Sequence, residues 1–151
     1  MTAFYIAARY GRWQEMQGYR EQLEALGHTV TSRWINGTHS LRDDDPTLEF
    51  RAQMAMEDLD DLENADALIC FTEPPGNIHG RGGRHVEFGY ALAMHRTTSR
   101  ALGGGFLPLH VIGYRENVFH CLPYVDFFDD WPAFLKHLTH RPFTQPKMSI
   151  I

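Results

Sequence analysis

Glu87 stands between a Gly- and Arg-rich loop, GRGGRH (Gly80 to His85), and a nearly uncharged run, VEFGYALAM (Val86 to Met94). A carboxylate set into an apolar wall costs free energy unless it is paired or used. At the start of a helix, beside a nest of backbone N–H groups, it has two readings: a favourable partner for the helix dipole, or a reactive acid. Its neighbours weigh toward the second. Gly80, Gly82 and Gly83 permit close backbone approach, and Arg81 and Arg84 carry guanidinium forks suited to phosphate or carboxylate. The loop is not a Walker A sequence, because no Lys-Ser or Lys-Thr follows the glycines. Nor is it a GxGxxG fingerprint after a first strand, so ATP hydrolysis and NAD binding lose ground. Ser32, Ser40, Ser99 and Ser149 lack a GxSxG context, and Cys70, amid apolar residues, reads as a small buried hydrophobe. Carboxylate chemistry is what remains.

Other polar groups are weighed against plainer roles. Tyr5 lies within the first apolar run, where core packing competes with function, yet a buried phenol needs a partner. Asp58 belongs to the acidic run Glu57 to Asp61, of which Asp60 and Asp61 are expected to be solvated while Asp58 lies at the edge of an apolar stripe. Arg9 and Glu73 follow the first and third apolar runs. Asn117 and His120, in RENVFHCLP (Arg115 to Pro123), suit either a turn or contact with a ligand or a neighbouring subunit.

The elements that must position these groups alternate strand and helix. Phe4 to Ala8 reads as a buried strand. Trp13 to Leu26 reads as a helix with Met16, Tyr19, Leu23 and Leu26 on one side and Gly27 as its stop. His28 to Ile35 reads as a second strand. Asn36 to Asp45 is a long polar loop of the kind that forms lids, ending in Asp45-Pro46 as a helix start. The following helix, to about Glu63, is expected to bury Leu48, Ala52, Ala55, Leu59 and Leu62. Ala65 to Phe71 is a strand apolar on both faces, and Leu107 to Tyr114, after Gly103 to Gly105, is a fourth. Val125 to Phe128 is a fifth, and Trp131 to His140 a closing helix. Serial β-α-β units imply a doubly wound parallel α/β sheet of about five strands with helices on both faces. Ligands bind such sheets beyond the carboxyl ends of the strands, where strand order reverses.

With 151 residues and 43% hydrophobic content the chain fits one domain spanning 1–151. A net charge of −5 offers no basic field for a polynucleotide. No apolar run is long enough to span a bilayer, and the start reads as a strand, not a secretion signal, so a soluble cytoplasmic protein is expected. Cys70 and Cys121 lack CxxC spacing and are expected to stay reduced. The nine histidines form no HxH or HxxxH pair, which argues against a metal site.

FYIAARY, MEDLDDL with Asp58, ADALICF and GRGGRHVEFGYALA around Glu87, taken in order, resemble the nucleoside 2-deoxyribosyltransferase family. That family includes deoxynucleoside 5′-monophosphate N-glycosidases and CMP-type hydrolases, and the resemblance runs from about Phe4 to Val125. It implies a flavodoxin-like fold and an ionised glutamate nucleophile, matching Glu87, that attacks the anomeric carbon. It further implies a tyrosine that orients it, matching Tyr5, and an aspartate assisting the leaving base, matching Asp58. Six residues before the nucleophile the transferases carry aspartate and the monophosphate glycosidases serine, whereas this chain has Arg81. That change leaves room for a 5′-phosphate, which Arg9, Arg12 and Arg84 would help to hold. The substrate contacts are accordingly expected among Arg9, Glu73, Arg81, Gly82, Gly83, Arg84, Asn117 and His120. The resemblance also implies a homodimer or larger homo-oligomer, with Asn117 or the tail at Ile150-Ile151 completing a neighbour's site. It calls for a small-molecule nucleoside or nucleotide, and for no cofactor. Two alternatives compete: a nucleotide-binding sensor of the same fold without turnover, and a phosphoribohydrolase, disfavoured because PGGxGT is missing.

Overall fold

A computed structural model describes residues 1–39, 47–77, 80–102 and 107–140, with the side chains of 98–102 excepted. Five strands form one wholly parallel sheet: β1 (Ala3–Ala7), β2 (Thr29–Val30), β3 (Ala67–Phe71), β4 (Leu109–Ile112) and β5 (Val125–Phe128), in the order β2-β1-β3-β4-β5. The helices are α1 (Trp13–Ala25), α2 (Leu48–Glu63), α3 (Gly83–Leu102) and α4 (Trp131–Thr139). This is a doubly wound, flavodoxin-like sheet, and the chain reverses direction across it between β1 and β3. A crevice opens there, beyond the strand ends.

Strand alternation decides which side chain serves which layer. Phe4 packs edge-on against Phe134 of α4, and Phe71 stacks on Tyr19 of α1 and on Trp131 of α4, so this face carries an aromatic core. Tyr5, one residue on from Phe4, points to the opposite layer, where α2 and α3 pack together. Every residue of β3 is buried, as its unbroken apolar run requires in a sheet covered on both sides.

Two elements differ from the sequence reading. The second strand keeps only Thr29–Val30, and a 3-10 turn takes Arg33–Asn36. The cause lies in side chains that replace the ladder: Ile6 N–H donates to Ser32 Oγ at 2.6 Å, and Trp34 Nε1 donates to the Ile6 carbonyl at 2.7 Å. Once these polar groups satisfy β1, the backbone of the segment is free to turn inward. In α2 the buried residues are Met54, Asp61 and Leu62, whereas Leu48, Ala52 and Ala55 are exposed and Leu59 is half-buried. Asp61 is not solvated. It accepts from Arg33 N–H and from Arg33 Nε, each at 2.9 Å. Asp60 is exposed as expected, and the helix is capped by Thr47, whose side chain accepts from Phe50 N–H. The Asp45-Pro46 cap, most of the long loop before it, Gly103 to Gly105 and the tail from Arg141 lie outside the described residues.

Gly113, directly after β4, has φ +117°, and a Cβ there would sit 3.0 Å from Thr72 Oγ1 and 3.3 Å from the Thr72 carbonyl oxygen. Both the backbone conformation and the space demand glycine. Gly113→Ala is expected to destabilise the protein by about 1–3 kcal/mol. A urea midpoint unchanged from wild type would contradict this account of the turn.

Candidate functional site

The crevice holds a cavity of about 470 Å³ lined by segments after β1, by α2 and by the start of α3. Glu87, Asp58, Arg9, Arg81, Gly82, Gly83 and Arg84 all line it. Glu87 is not in the first turn, since α3 begins at Gly83 and has no acidic residue there. It sits a turn further in, so a simple dipole or capping role does not describe it.

Glu87 Oε2 is sealed from solvent without a hydrogen-bond partner. Burial, with the Asp58 carboxylate adding to it, pushes the Glu87 carboxyl up to about 8, against an opposing pull from the Tyr5 hydroxyl. The resting carboxyl at neutral pH is therefore mostly protonated, unlike the ionised group expected from sequence. Tyr5, fully buried beneath the cavity, is raised well above the ordinary phenol value by burial first and by Glu87 and Asp58 next. Its hydroxyl also lacks an aligned partner. Tyr5 and Glu87 thus feel each other's charge strongly, while the two oxygens are not set in regular hydrogen-bond geometry. Burial and mutual charge thus act together on Tyr5 and Glu87, with the Asp58 carboxylate adding to both, a combination typical of reactive sites.

The arginines divide by task. Arg84 is buried and clamps Glu116 with two bonds, Nε to Oε1 at 3.2 Å and a terminal nitrogen to Oε2 at 2.7 Å. That bidentate pair commits its fork to the protein. Arg12 is likewise engaged, by Glu15 at 2.6 Å and Glu73 at 3.5 Å. Arg9 Nε pairs with Glu73 Oε1 at 3.2 Å, and its stem passes over Gly80, where a Cβ would meet Arg9 Cγ at 3.0 Å. Gly80, at φ +104°, lets this stem lie flat along the cavity wall. Arg81 is exposed at the rim.

Glu73, Asn117 and His120 do not line the cavity. Glu73 is buried and binds Arg9, Arg12 and Asn77. Asn117 caps the 3-10 turn Val118–Cys121 through Phe119 N–H, and His120 Nδ1 accepts from Glu116 N–H at 3.0 Å. Burial holds the His120 imidazole below its ordinary value. Sequence reasoning passed over Trp34 and His39, which both line the cavity, and Glu116, the anchor of Arg84. His39 sits in a polar stretch that reads only as loop, so no local pattern marks it. Among the described residues no group of three His, Cys, Asp or Glu side chains is placed to hold a metal ion, and no helix is long and apolar enough to cross a membrane.

No family model matches the sequence, and no curated protein matches it either. Solved structures do. The fold is similar to that of a 2-deoxyribosyltransferase from Bacillus psychrosaccharolyticus, with TM-score 0.60 and 18% identity over 93% of each chain. It is also similar to the CMP N-glycosidase BcmB from Clostridium botulinum, with TM-score 0.51 and 19% identity over 92% of this chain and 99% of the other. Across nearly its whole length, then, this chain shares its fold with a 2-deoxyribosyltransferase and a CMP N-glycosidase.

Proposed function

We propose that the protein cleaves or transfers at the N-glycosidic bond of a nucleoside or nucleoside 5′-monophosphate, with Glu87 as nucleophile. The observation that carries this reading is the Glu87 carboxyl, sealed on one oxygen, on the wall of a cavity that it shares with Asp58 and that overlies Tyr5. The fold shared with two enzymes of this chemistry supports it. Loss of the base passes through an oxocarbenium-like state, so a carboxylate at the anomeric carbon is stabilising there and can close a covalent glycosyl ester. Asp58 assists departure of the base. Water then resolves the ester in hydrolysis, or a second base resolves it in transfer. Arg9 and Arg81 line the wall and supply the positive charge that would face a 5′-phosphate, while Arg84 spends its fork on Glu116. The active form is a homo-oligomer in this reading, and sedimentation of a fully active monomer would contradict that part.

Incubation with deoxynucleosides and deoxynucleotides, with and without an acceptor base, tests the reading by separating free base from new nucleoside. If no base is released or exchanged from any of them, the reading fails.

Attack requires Glu87 deprotonated, so kcat/KM is expected to rise with pH through the raised value of the free protein. Asp58 raises Glu87 and Tyr5 lowers it. Asp58→Asn should therefore move this ascending limb to lower pH and Tyr5→Phe should move it higher, each with a reduced maximum. Limbs that shift together, or stay fixed, would show that these two groups do not govern the ionisation.

A further inference from the structure

His39 lines the cavity and is buried, although sequence and site chemistry alike leave it without a role. Its Nε2 lies 3.1 Å from Asp58 Oδ1 and 3.6 Å from Glu57 Oε2, and its Nδ1 lies 2.9 Å from Thr38 Oγ1. Both Asp58 Oδ1 and His39 Nε2 are shut off from solvent, with the angle between them short of a regular hydrogen bond. Arg33 approaches one of these carboxylates, Glu57, at 3.8 Å and is held by Asp61 at 2.9 Å. The groups that set the charge on His39 are thus Asp58 and Glu57 together with the Met54 backbone, all on α2, while Glu87 of α3 lines the same cavity.

Resting on the function proposed above, we infer that His39 is the positioning residue and proton reservoir for Asp58 in departure of the base. In the first half-reaction the C1′–N bond breaks and its electron pair goes to the base. Glu87 forms the C1′–O bond as its carboxylate charge is consumed. The proton the base gains leaves the His39 imidazolium and passes through the Asp58 carboxylate to the base, leaving His39 neutral and Asp58 as it began. In hydrolysis, water adds its oxygen to C1′, releases Glu87 as carboxylate, and returns one proton through Asp58 to His39. Charge and protons balance over the cycle, and no further reactant is needed.

The electrostatics agree. Burial opposes a charged imidazole, but Asp58 and Glu57 outweigh it, and the His39 value is raised. The two carboxylates beside Nε2 thus favour the charged imidazole. A histidine kept only for packing would have no need of two carboxylates.

The test compares two substrates with one sugar and different leaving groups: guanine against 7-methylguanine if purine nucleotides are turned over, or uracil against 5-fluorouracil if pyrimidine ones are. For His39→Gln, kcat on the unactivated base is expected to fall about 10²-fold with little change in KM. On the activated base the loss should shrink to about threefold or less, because that base needs little or no proton from the enzyme. Equal losses on both substrates, or none on either, overturn the role of His39 while leaving the glycosidic reaction standing. If wild type releases no base from any of them, the reaction itself fails and this inference falls with it. A second measurement is independent of turnover: the His39 imidazole, followed by NMR, should titrate at lower pH in Asp58→Asn than in wild type. An unmoved titration overturns the pairing.

Discussion

Glu87→Gln is expected to lose base release by at least about 10³-fold, because the carboxylate assigned to form the glycosyl bond is removed. The same substitution should make the protein more stable in alkaline solution. The sign follows from the raised carboxyl. An unfolded glutamate titrates near 4.5 and the folded one near 8, so between those values the folded state binds more protons than the unfolded state. Stability therefore falls as pH rises through this window. Glutamine carries no charge at any pH, so the variant escapes the fall. Its advantage is absent below the unfolded value, grows across the window and is complete above the folded one, where it reaches about 5 kcal/mol. In a chain of this size that amounts to a melting temperature higher by about 10–20 °C at pH 9 and equal to wild type at pH 4. A rate left intact would remove the nucleophile from the proposal. A stability difference that did not vary with pH would mean that the carboxyl is not desolvated.

Glu116→Ala is expected to cost about 3 kcal/mol, with a melting temperature lower by about 6–12 °C. Glu116 receives two bonds from buried Arg84 and one at 2.9 Å from the Glu73 N–H, so it ties the segment after β4 to the start of α3 and to the end of β3. Removing it strands a buried guanidinium, and that is where most of the cost arises. Burial alone would raise this carboxyl, but Arg84 first and the Glu73 N–H next hold it below the ordinary value. The stabilisation is therefore present above the unfolded value and is lost as pH falls through the depressed folded one. Arg84 also lines the cavity, so KM should rise in the variant. Replacing both partners, Arg84→Met with Glu116→Leu, should restore much of the stability because no charge is left unpaired. A single variant as stable as wild type at neutral pH would show that the pair does not hold these segments together.

The sequence by itself determined the order of strands and helices, because apolar runs of strand length and apolar spacing of helical length are local patterns. It also singled out Glu87, since a lone acid in VEFGYALAM has no bland explanation as a solvated charge. Tyr5 and Asp58 were legible only as members of a series that includes Glu87. The alternation of β1 sends Tyr5 toward α3, and the position of Asp58 on α2 brings it to the same cavity. The tertiary structure decided the rest. Asp60 and Asp61 are adjacent acids, yet one is exposed and the other is buried on Arg33, a partner 28 positions away. Arg84 and Arg81 are three residues apart, yet Arg84 is buried with its fork bound to Glu116 while Arg81 is exposed at the rim, and both still line the cavity. His39 reaches Asp58 only because Ser32 and Trp34 end β2 early and turn the chain inward over α2. Hydrophobic periodicity is written in neighbouring residues, whereas the pairing of charges is chosen through space, by whichever distant segment folding brings within about 3–4 Å.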